Sequence, residues 1–256
     1  MSVLIYDSGI GGLSVLREAR ILMPEFKFVY VADGAVFPIG GWEEEALVAH
    51  LLGLFDDLVA RHNPQMIIIA CNTASTIILP HLRERFDMPV VGTVPAIKLA
   101  AEVTASRQIS VLATPGTVQR DYTRSLIAEF ASQVNVRLVG AEDLARLAED
   151  FMLSGQIDTK AVNKEIRDCF VDRLGARTDV VVLACTHYPF LTNVFRRLAP
   201  WPVDWLNPAE AIARHAQSRL PQGGAVKDVQ DIAEFTGGEP TPQMRRLLSG
   251  FGLKVI

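Results

Sequence analysis

Two cysteines stand in matching segments in distant parts of this chain, and these segments constrain the fold more than any other feature. Residues 67–75 read Ile-Ile-Ile-Ala-Cys-Asn-Thr-Ala-Ser, and residues 180–189 read Val-Val-Val-Leu-Ala-Cys-Thr-His-Tyr-Pro. Each begins with an apolar, β-branched run typical of a buried strand and continues with small polar residues that favour a helix start. The pattern predicts that Cys71 and Cys185 lie at equivalent strand ends, where two thiols could act on opposite faces of one substrate carbon.

Two further pairs of segments repeat in the same order. Residues 90–96 and 203–209 both end in Pro-Ala, and residues 4–9 and 111–116 both end in glycine after an apolar run. A single junction of this kind recurs by chance in parallel-sheet proteins. Three pairs in one order favour a duplicated α/β unit.

Predicted strands and amphipathic helices alternate along the chain, which is typical of parallel sheets covered by helices on both faces. We therefore predict the α/β class, with two pseudo-symmetric, doubly wound domains and mainly parallel sheets. The first domain is predicted to comprise residues 1–94 plus 207–256 and the second residues 95–206, because the second repeat is complete near residue 206. Within the second domain, helices at 117–131 and 158–174 are each predicted to be continuous.

Composition and charge exclude several classes of function. The 256 residues carry a formal net charge of −4 with a pI of about 5.8, so we expect no nucleic-acid partner. No apolar run reaches the roughly 18 residues of a membrane span, and a strand predicted directly after Ser2 leaves no signal peptide. Three widely spaced cysteines without a Cys-x-x-Cys pair indicate neither a disulfide scaffold nor a zinc site, and we expect a cytoplasmic protein.

Polar residues at the predicted carboxyl ends of strands are the candidates for a ligand site, because ligands bind there in open α/β sheets. Helices that begin near Gly12 and after Cys71 would direct backbone N–H groups to the same edge and favour an anion. The candidates are Asp7, Ser8, Asp33, Cys71, Asn72, Thr73, Thr114, Thr117, Cys185, Thr186 and His187.

The glycine loop at residues 9–14 raises a second interpretation, a dinucleotide site. The G-x-G-x-x-G fingerprint requires glycine where Ser14 stands, although Asp33 lies about 20 residues further on, as the acidic residue of such a site would. A Walker A loop and a G-x-S-x-G motif are both absent from the sequence. The nucleotide interpretation is the weaker of the two.

Several motifs taken together resemble those of the glutamate racemases, cofactor-independent enzymes of the aspartate/glutamate racemase superfamily that supply D-glutamate for peptidoglycan. The resemblance runs nearly end to end. The motifs are Asp7-Ser8-Gly9-Ile10-Gly11-Gly12, Asp33 with Phe37-Pro38-Ile39-Gly40, Cys71-Asn72-Thr73-Ala74-Ser75, Thr114-Pro115-Gly116-Thr117 and Cys185-Thr186-His187-Tyr188-Pro189.

The resemblance implies that each of two domains donates one cysteine to an active site in the cleft between them. Cys71 and Cys185 would exchange protons at Cα of glutamate, with Asp7 and His187 as further catalytic groups and with no cofactor or metal. Glu149 is implied as an auxiliary group. The residues implied to bind the substrate are Asp7, Ser8, Pro38, Ile39, Gly40, Cys71, Asn72, Thr73, Thr117, Cys185, Thr186 and His187.

The sequence departs from the family where Ile39 replaces the usual tyrosine of a Pro-Tyr-Gly motif, and where Gly34 follows Asp33. If only the backbone N–H of residue 39 contacts the substrate, isoleucine keeps the contact. If the tyrosine side chain of the family also shapes the pocket, its loss here would change substrate affinity or specificity. Racemisation of another acid such as aspartate, and a racemase-like protein that binds DNA gyrase, therefore stay open. The resemblance also implies a homodimer.

Structural roles compete with chemical ones for several side chains. Asp7 and Asp33 could cap helices; Asp7 is favoured as functional, and Asp33 is kept as an auxiliary candidate. Cys169 is predicted to be structural, because it lies among apolar residues of the helix predicted at 158–174. The histidines outside the motifs are predicted to be exposed to solvent: His50, His62, His81 and His215.

Overall fold

Short apolar strands alternate with helices through residues 1–39, 42–220 and 230–256, which are the residues that the computed structural model describes. In chain order the elements are β1 (Ser2–Asp7), α1 (Leu13–Leu22), β2 (Lys27–Asp33), α2 (Glu44–His62), β3 (Met66–Ile69), α3 (Asn72–Arg85), β4 (Val90–Gly92), α4 (Ile97–Val103), β5 (Gln108–Ala113), α5 (Pro115–Gln119), α6 (Asp121–Phe130), β6 (Asn135–Gly140), α7 (Leu144–Ser154), α8 (Thr159–Ile166), β7 (Asp172–Arg173), β8 (Ala176–Arg177), β9 (Val180–Ala184), α9 (Thr192–Leu198), β10 (Asp204–Leu206), α10 (Ala209–Arg219), β11 (Ile232–Thr236), α11 (Pro242–Gly250) and β12 (Lys254–Val255).

The chain forms two compact units, residues Met1–Thr93 with Ala209–Ile256, and residues Val94–Pro208. In the first unit, the strands lie in the order β12-β11-β2-β1-β3-β4, and the described pairs are parallel. Strand β11 pairs with β2 and the last strand, β12, pairs with β11, so the tail of the chain completes the first sheet. Every residue of β1 and β3 is buried, because helices cover both faces of the sheet.

In the second unit the parallel strands lie in the order β10-β9-β5-β6. Strands β4-β3-β1-β2 of the first sheet follow the same order. The α/β class with mainly parallel sheets is therefore confirmed, and each cysteine of the repeated pattern follows the third strand of such a set, β3 or β9. None of the helices in the described part of the chain combines the length and the apolar character needed to cross a membrane.

Two predicted helices are wrong in extent. The helix predicted at 117–131 is divided at Arg120, whose extended backbone (ψ 137°) separates α5 from α6. The helix predicted at 158–174 ends at Ile166, and a 3₁₀ turn (Arg167–Cys169) leads into the antiparallel pair β7–β8. Gly175, at φ +88°, takes the left-handed conformation that this tight hairpin requires.

Candidate active site

The Cys71 cluster is a group of buried polar residues at the carboxyl ends of β1 and β3. Ile69 pairs with Tyr6, and the amide of Ala70 donates to the Tyr6 carbonyl at 2.8 Å, so the residues after the two strands are neighbours. The members are at most 6% exposed, and they are Asp7, Ser8, Cys71, Asn72 and Thr73.

Cys71 occupies the N-cap position of α3. Its Sγ accepts a hydrogen bond from the Ala74 amide at 3.5 Å, and the Ser8 Oγ lies 3.5 Å from the same sulfur. Because backbone N–H groups converge at a helix N-terminus, this position favours a negative charge on the sulfur.

Asp7 is fully buried and shapes the turn after β1. Its Oδ2 accepts from the Gly9 amide at 3.1 Å, whereas the N-cap position of α1 belongs to Gly12. A Cβ at Gly12 would lie 2.7 Å from the Asp7 Cβ, so glycine is needed for this close approach. The helix-capping alternative for Asp7 is therefore wrong.

The side-chain amide of Asn72 has no hydrogen-bond partner among the described residues, at either Oδ1 or Nδ2, although the residue is only 3% exposed. Leaving a buried polar group unpaired costs about 1–3 kcal/mol. The Asn72 amide is therefore a donor and acceptor that the protein's own side chains leave for a ligand.

The Cys185 cluster lies at the carboxyl ends of β5 and β9, where Ala113 pairs with Ala184. The Sγ of Cys185 lies 3.8 Å from Nδ1 of His187, and Nε2 of His187 lies 2.7 Å from Oε2 of Glu149 on α7. The three side chains form a chain of thiol, imidazole and carboxylate. The cluster is at most 9% exposed and consists of Thr117, Glu149, Cys185, Thr186 and His187.

The two cysteines have different local structures despite their similar sequences. A 3₁₀ turn at Tyr188–Leu191 follows His187, and α9 begins only at Thr192. The predicted helix start beside the second cysteine is therefore wrong. Cys185 has an imidazole–carboxylate pair where Cys71 has a helix N-terminus.

Threonine hydroxyl groups lie in and around the Cys185 cluster. The Oγ1 atoms of Thr114 and Thr117 lie 3.1 Å apart, and Thr123 donates to the Thr117 carbonyl at 2.6 Å across the break between α5 and α6. Thr186 Oγ1 lies 3.5 Å from Nδ1 of His187. The break at Arg120, which the sequence pattern missed, thus places Thr123 where it fixes the Thr117 turn.

Two buried tyrosines flank the thiols and stay protonated. Burial, followed by the charges of Asp33 and Cys71, raises the pKa of Tyr6 well above its usual value. Burial and then the charge of Cys185 raise the pKa of Tyr188 in the same way. The Tyr188 hydroxyl has no hydrogen-bond partner in the described part of the chain.

Asp33 lies in a separate buried network rather than at a helix cap. Its carboxylate accepts from the Tyr6 hydroxyl at 3.0 Å and from Thr236, and His50 Nε2 lies 2.9 Å from Oδ2. The capping alternative is wrong, since Glu43 is the N-cap of α2. His50, predicted to be exposed, is partly buried, with 28% of its side chain exposed.

The segment implied to bind the substrate's side chain is only partly described. Pro38 is exposed, whereas Ile39 is 6% exposed and packs in the hydrophobic core with Val36 and Leu47. Gly40 lies outside the described residues.

Cys169 is fully buried, and burial raises the pKa of its thiol. Its carbonyl accepts a hydrogen bond from Ser110 at 2.6 Å. Its surroundings are those of a packing residue. Within residues 1–39, 42–220 and 230–256, no group of three or more His, Cys, Asp or Glu residues is arranged to hold a metal ion.

Comparison with known proteins gives one consistent family. The sequence model of the Asp/Glu/hydantoin racemases matches residues 18–216. Glutamate racemases of Agrobacterium fabrum and Sinorhizobium medicae are 61% and 60% identical over 256 residues, which are 99% of this chain and 94% of each relative. The crystal structure of Escherichia coli glutamate racemase with L-glutamate and the activator UDP-MurNAc-Ala is 35% identical, with a TM-score of 0.91 over 99% of this chain and 96% of that one.

Proposed function

Because the chain belongs to the Asp/Glu/hydantoin racemase family, we propose that it interconverts L-glutamate and D-glutamate and supplies D-glutamate for peptidoglycan synthesis. Cys71 and Cys185 are the two acid–base thiols of a cofactor-independent proton transfer at Cα. The observation that carries the proposal is that both thiols are nearly buried and each contacts its own polar partner, Ser8 at 3.5 Å and His187 at 3.8 Å.

The proposed reaction begins with one cysteine as a thiolate, which removes the Cα proton, and ends when the other thiol delivers a proton to the opposite face. A free thiol with a pKa of about 8.5 is only a few per cent ionised at neutral pH, so each sulfur needs help. The N-terminus of α3 favours the thiolate of Cys71, and Asp7 belongs to the same cluster. His187, oriented by Glu149, favours the thiolate of Cys185.

A thiolate alone is too weak a base for the Cα–H of an amino acid, so the site must also stabilise the developing negative charge. We assign this to donors that hold the α-carboxylate and to the α-ammonium group of the substrate. The proposed substrate-binding residues are the members of the two clusters other than Glu149: Asp7, Ser8, Cys71, Asn72, Thr73, Thr117, Cys185, Thr186 and His187.

Glutamate is favoured over aspartate as the substrate, because the relatives named glutamate racemase match almost the full chain at about 60% identity. The packing of the Ile39 side chain in the core supports a contact through its backbone, which isoleucine and tyrosine provide equally. Pro38, Ile39 and Gly40 are accordingly proposed to receive the side-chain carboxylate.

Circular dichroism of D- and L-glutamate, incubated with purified protein and no cofactor, tests the activity directly. Cys71→Ala and Cys185→Ala should each abolish racemisation, and Cys169→Ala, the matched control, should not. Equal activity of the wild type on aspartate would contradict the substrate assignment. Loss of activity in Cys169→Ala without unfolding would contradict the choice of thiols.

Solvent isotope incorporation tests the use of two separate acid–base groups. In deuterated water, the product enantiomer should carry deuterium at Cα from the first turnovers, while recovered substrate should remain unlabelled. A single group that both removed and returned the proton would label substrate and product alike.

We further propose a cytoplasmic location, a homodimer and binding to DNA gyrase, as the resemblance implies. Analytical ultracentrifugation of the purified chain tests the dimer. Co-precipitation with purified gyrase, with the Cys71→Ala variant in parallel, tests whether gyrase binding is independent of catalysis.

A further inference from the structure

Asp33 and His50 connect four elements of the first unit. Asp33 is the last residue of β2, and its fully buried carboxylate accepts from the Tyr6 hydroxyl of β1 and from the Thr236 hydroxyl of β11. His50 of α2 donates through Nε2 to Oδ2 at 2.9 Å. A buried carboxylate is tolerated only where such donors surround it. The three donors, Tyr6, Thr236 and His50, therefore stabilise the Asp33 carboxylate together.

The same network fixes the start of loop 34–39, which follows β2. The Val36 amide donates to the Asp33 carbonyl at 3.2 Å, and the Ala35 amide donates to Thr236 Oγ1 at 3.4 Å. Gly237, at φ +79°, packs so closely on this turn that a Cβ there would lie 2.6 Å from the Ala35 nitrogen. The end of β11 and the start of the loop are therefore one packed unit.

His50 also contacts the chain beyond the loop. The Trp42 ring lies against the imidazole, with centroids 5.6 Å apart, and the Trp42 amide donates to the Ile39 carbonyl at 3.4 Å. One side chain thus bonds to Asp33 before the loop and packs on Trp42 after it.

We infer that His50 and Asp33 are positioning residues that hold loop 34–39 in the conformation that binds the substrate's side-chain carboxylate. The effect on the substrate rests on the proposed function, since it acts through Ile39. Neither residue takes part in proton transfer. Removing the His50 side chain should raise KM for glutamate and leave kcat nearly unchanged.

The chain supplies a matched control on the same helix and on β11, the strand that pairs with β2. His62, at the other end of α2, pairs through Nε2 with the buried Glu234 of β11, and Arg61 contacts the same carboxylate at 2.6 Å. This pair joins α2 to β11 through a histidine and a carboxylate, as His50 and Asp33 join α2 to β2. It lies at the opposite end of the helix, away from loop 34–39.

The test compares His50→Ala and His50→Gln with His62→Ala and His62→Gln by hydrogen exchange and by steady-state kinetics. In His50→Ala, the amides of residues 34–39 should exchange at least tenfold faster, and KM should rise about tenfold with kcat within about threefold of wild type. Glutamine keeps a donor for Asp33, so His50→Gln should restore part of the protection. The His62 variants should leave exchange in the loop and KM unchanged.

Unchanged exchange at residues 34–39 in His50→Ala would overturn the inference, and so would an equal effect in His62→Ala. A tenfold loss of kcat at unchanged KM would also overturn it, because that result would place His50 in the proton transfer. If the wild-type protein failed to racemise glutamate, the proposed function would be wrong, and hydrogen exchange would still decide the positioning role.

Discussion

Nε2 of His187 lies 2.7 Å from Oε2 of Glu149, a residue of α7 that stands 38 positions before His187 in the chain. The imidazole is 2% exposed and presents its other nitrogen to Cys185. An imidazole held by a carboxylate on one side keeps its second nitrogen in a fixed orientation toward the thiol. Cys71 is supported in another way, as the N-cap of α3, where its Sγ accepts a hydrogen bond from the Ala74 amide.

Glu149→Gln should lower kcat about 100-fold with little change in KM, because glutamine can accept the hydrogen bond of Nε2 but cannot stabilise an imidazolium. Asp150→Asn, one residue on and exposed beside Arg146, is the matched control. Racemisation measured by circular dichroism in both directions checks the effect. Equal kcat for Glu149→Gln and wild type would remove Glu149 from the mechanism.

Asn72→Leu should separate binding from stability. Leucine has nearly the shape of asparagine and needs no partner, so the thermal midpoint should stay equal or rise by a few degrees while KM rises about tenfold. Ser75→Ala on the same helix should act in the opposite way, because the Ser75 hydroxyl is fully engaged with the Ile69 carbonyl and the Thr93 amide. Calorimetry and kinetics on both variants check this contrast. A destabilised Asn72→Leu with unchanged KM would contradict it.

The helical periodicity of α2 indicated the partial burial of His50 and His62, which the sequence analysis missed. Leu47, Leu51 and Leu58 form the buried stripe of α2, and His50 and His62 fall three and four positions from members of that stripe. Their partial burial, with 28% and 12% of the side chains exposed, was therefore predictable. Their partners were not, because Asp33 and Glu234 lie on strands whose pairing depends on the whole sheet.

Strand ends were predicted best, since alternation of apolar runs and small polar residues encodes them locally. The hairpin after Cys169 carried a turn signal in Gly175, which a helical pattern across residues 158–174 obscured. The role of Glu149 depends on the packing of α7 against the turn after β9. Two acidic neighbours, Asp143 at the N-cap of α7 and Asp150 on the helix, share its chemistry but are exposed. Sequence alone could not distinguish the three.

Gly12→Ala should lower activity by displacing Asp7. The added Cβ would meet the Asp7 Cβ at 2.7 Å and the Ala70 Cβ at 3.1 Å, so one of them must shift. We expect at least a tenfold loss of kcat together with a lower thermal midpoint.

Gly53→Ala is the control for Gly12→Ala. Gly53 lies in the exposed interior of α2 with no atom within 4 Å of an added Cβ. Alanine there should raise the unfolding free energy by about 0.5–1 kcal/mol through helix propensity and leave kcat unchanged. Unaltered kinetics in Gly12→Ala would show that the position of Asp7 is not critical.

Asp179 anchors the loop between α4 and β5 of the second unit, and we predict that it makes this unit sensitive to acid. Burial tends to raise the pKa of Asp179. Hydrogen bonds from Thr104 (2.6 Å) and from the amides of Ala105 and Ser106 (2.8 Å each) outweigh burial. They lower the pKa of the carboxyl below its ordinary value of 3.8. A lowered folded-state pKa means that the stabilisation is fully present above the unfolded-state pKa. It is lost as the pH falls through the folded-state value.

Asp179→Asn should therefore lower the unfolding free energy by about 1–3 kcal/mol at neutral pH, and its difference from wild type should shrink below about pH 4. Asp121→Asn, an exposed carboxylate paired with Arg124 at 3.0 Å, should change stability by less than about 0.5 kcal/mol. Urea denaturation of both variants and wild type at a series of pH values measures these differences. A deficit for Asp179→Asn that stayed constant down to pH 2 would show that lost packing, rather than the carboxylate charge, caused it.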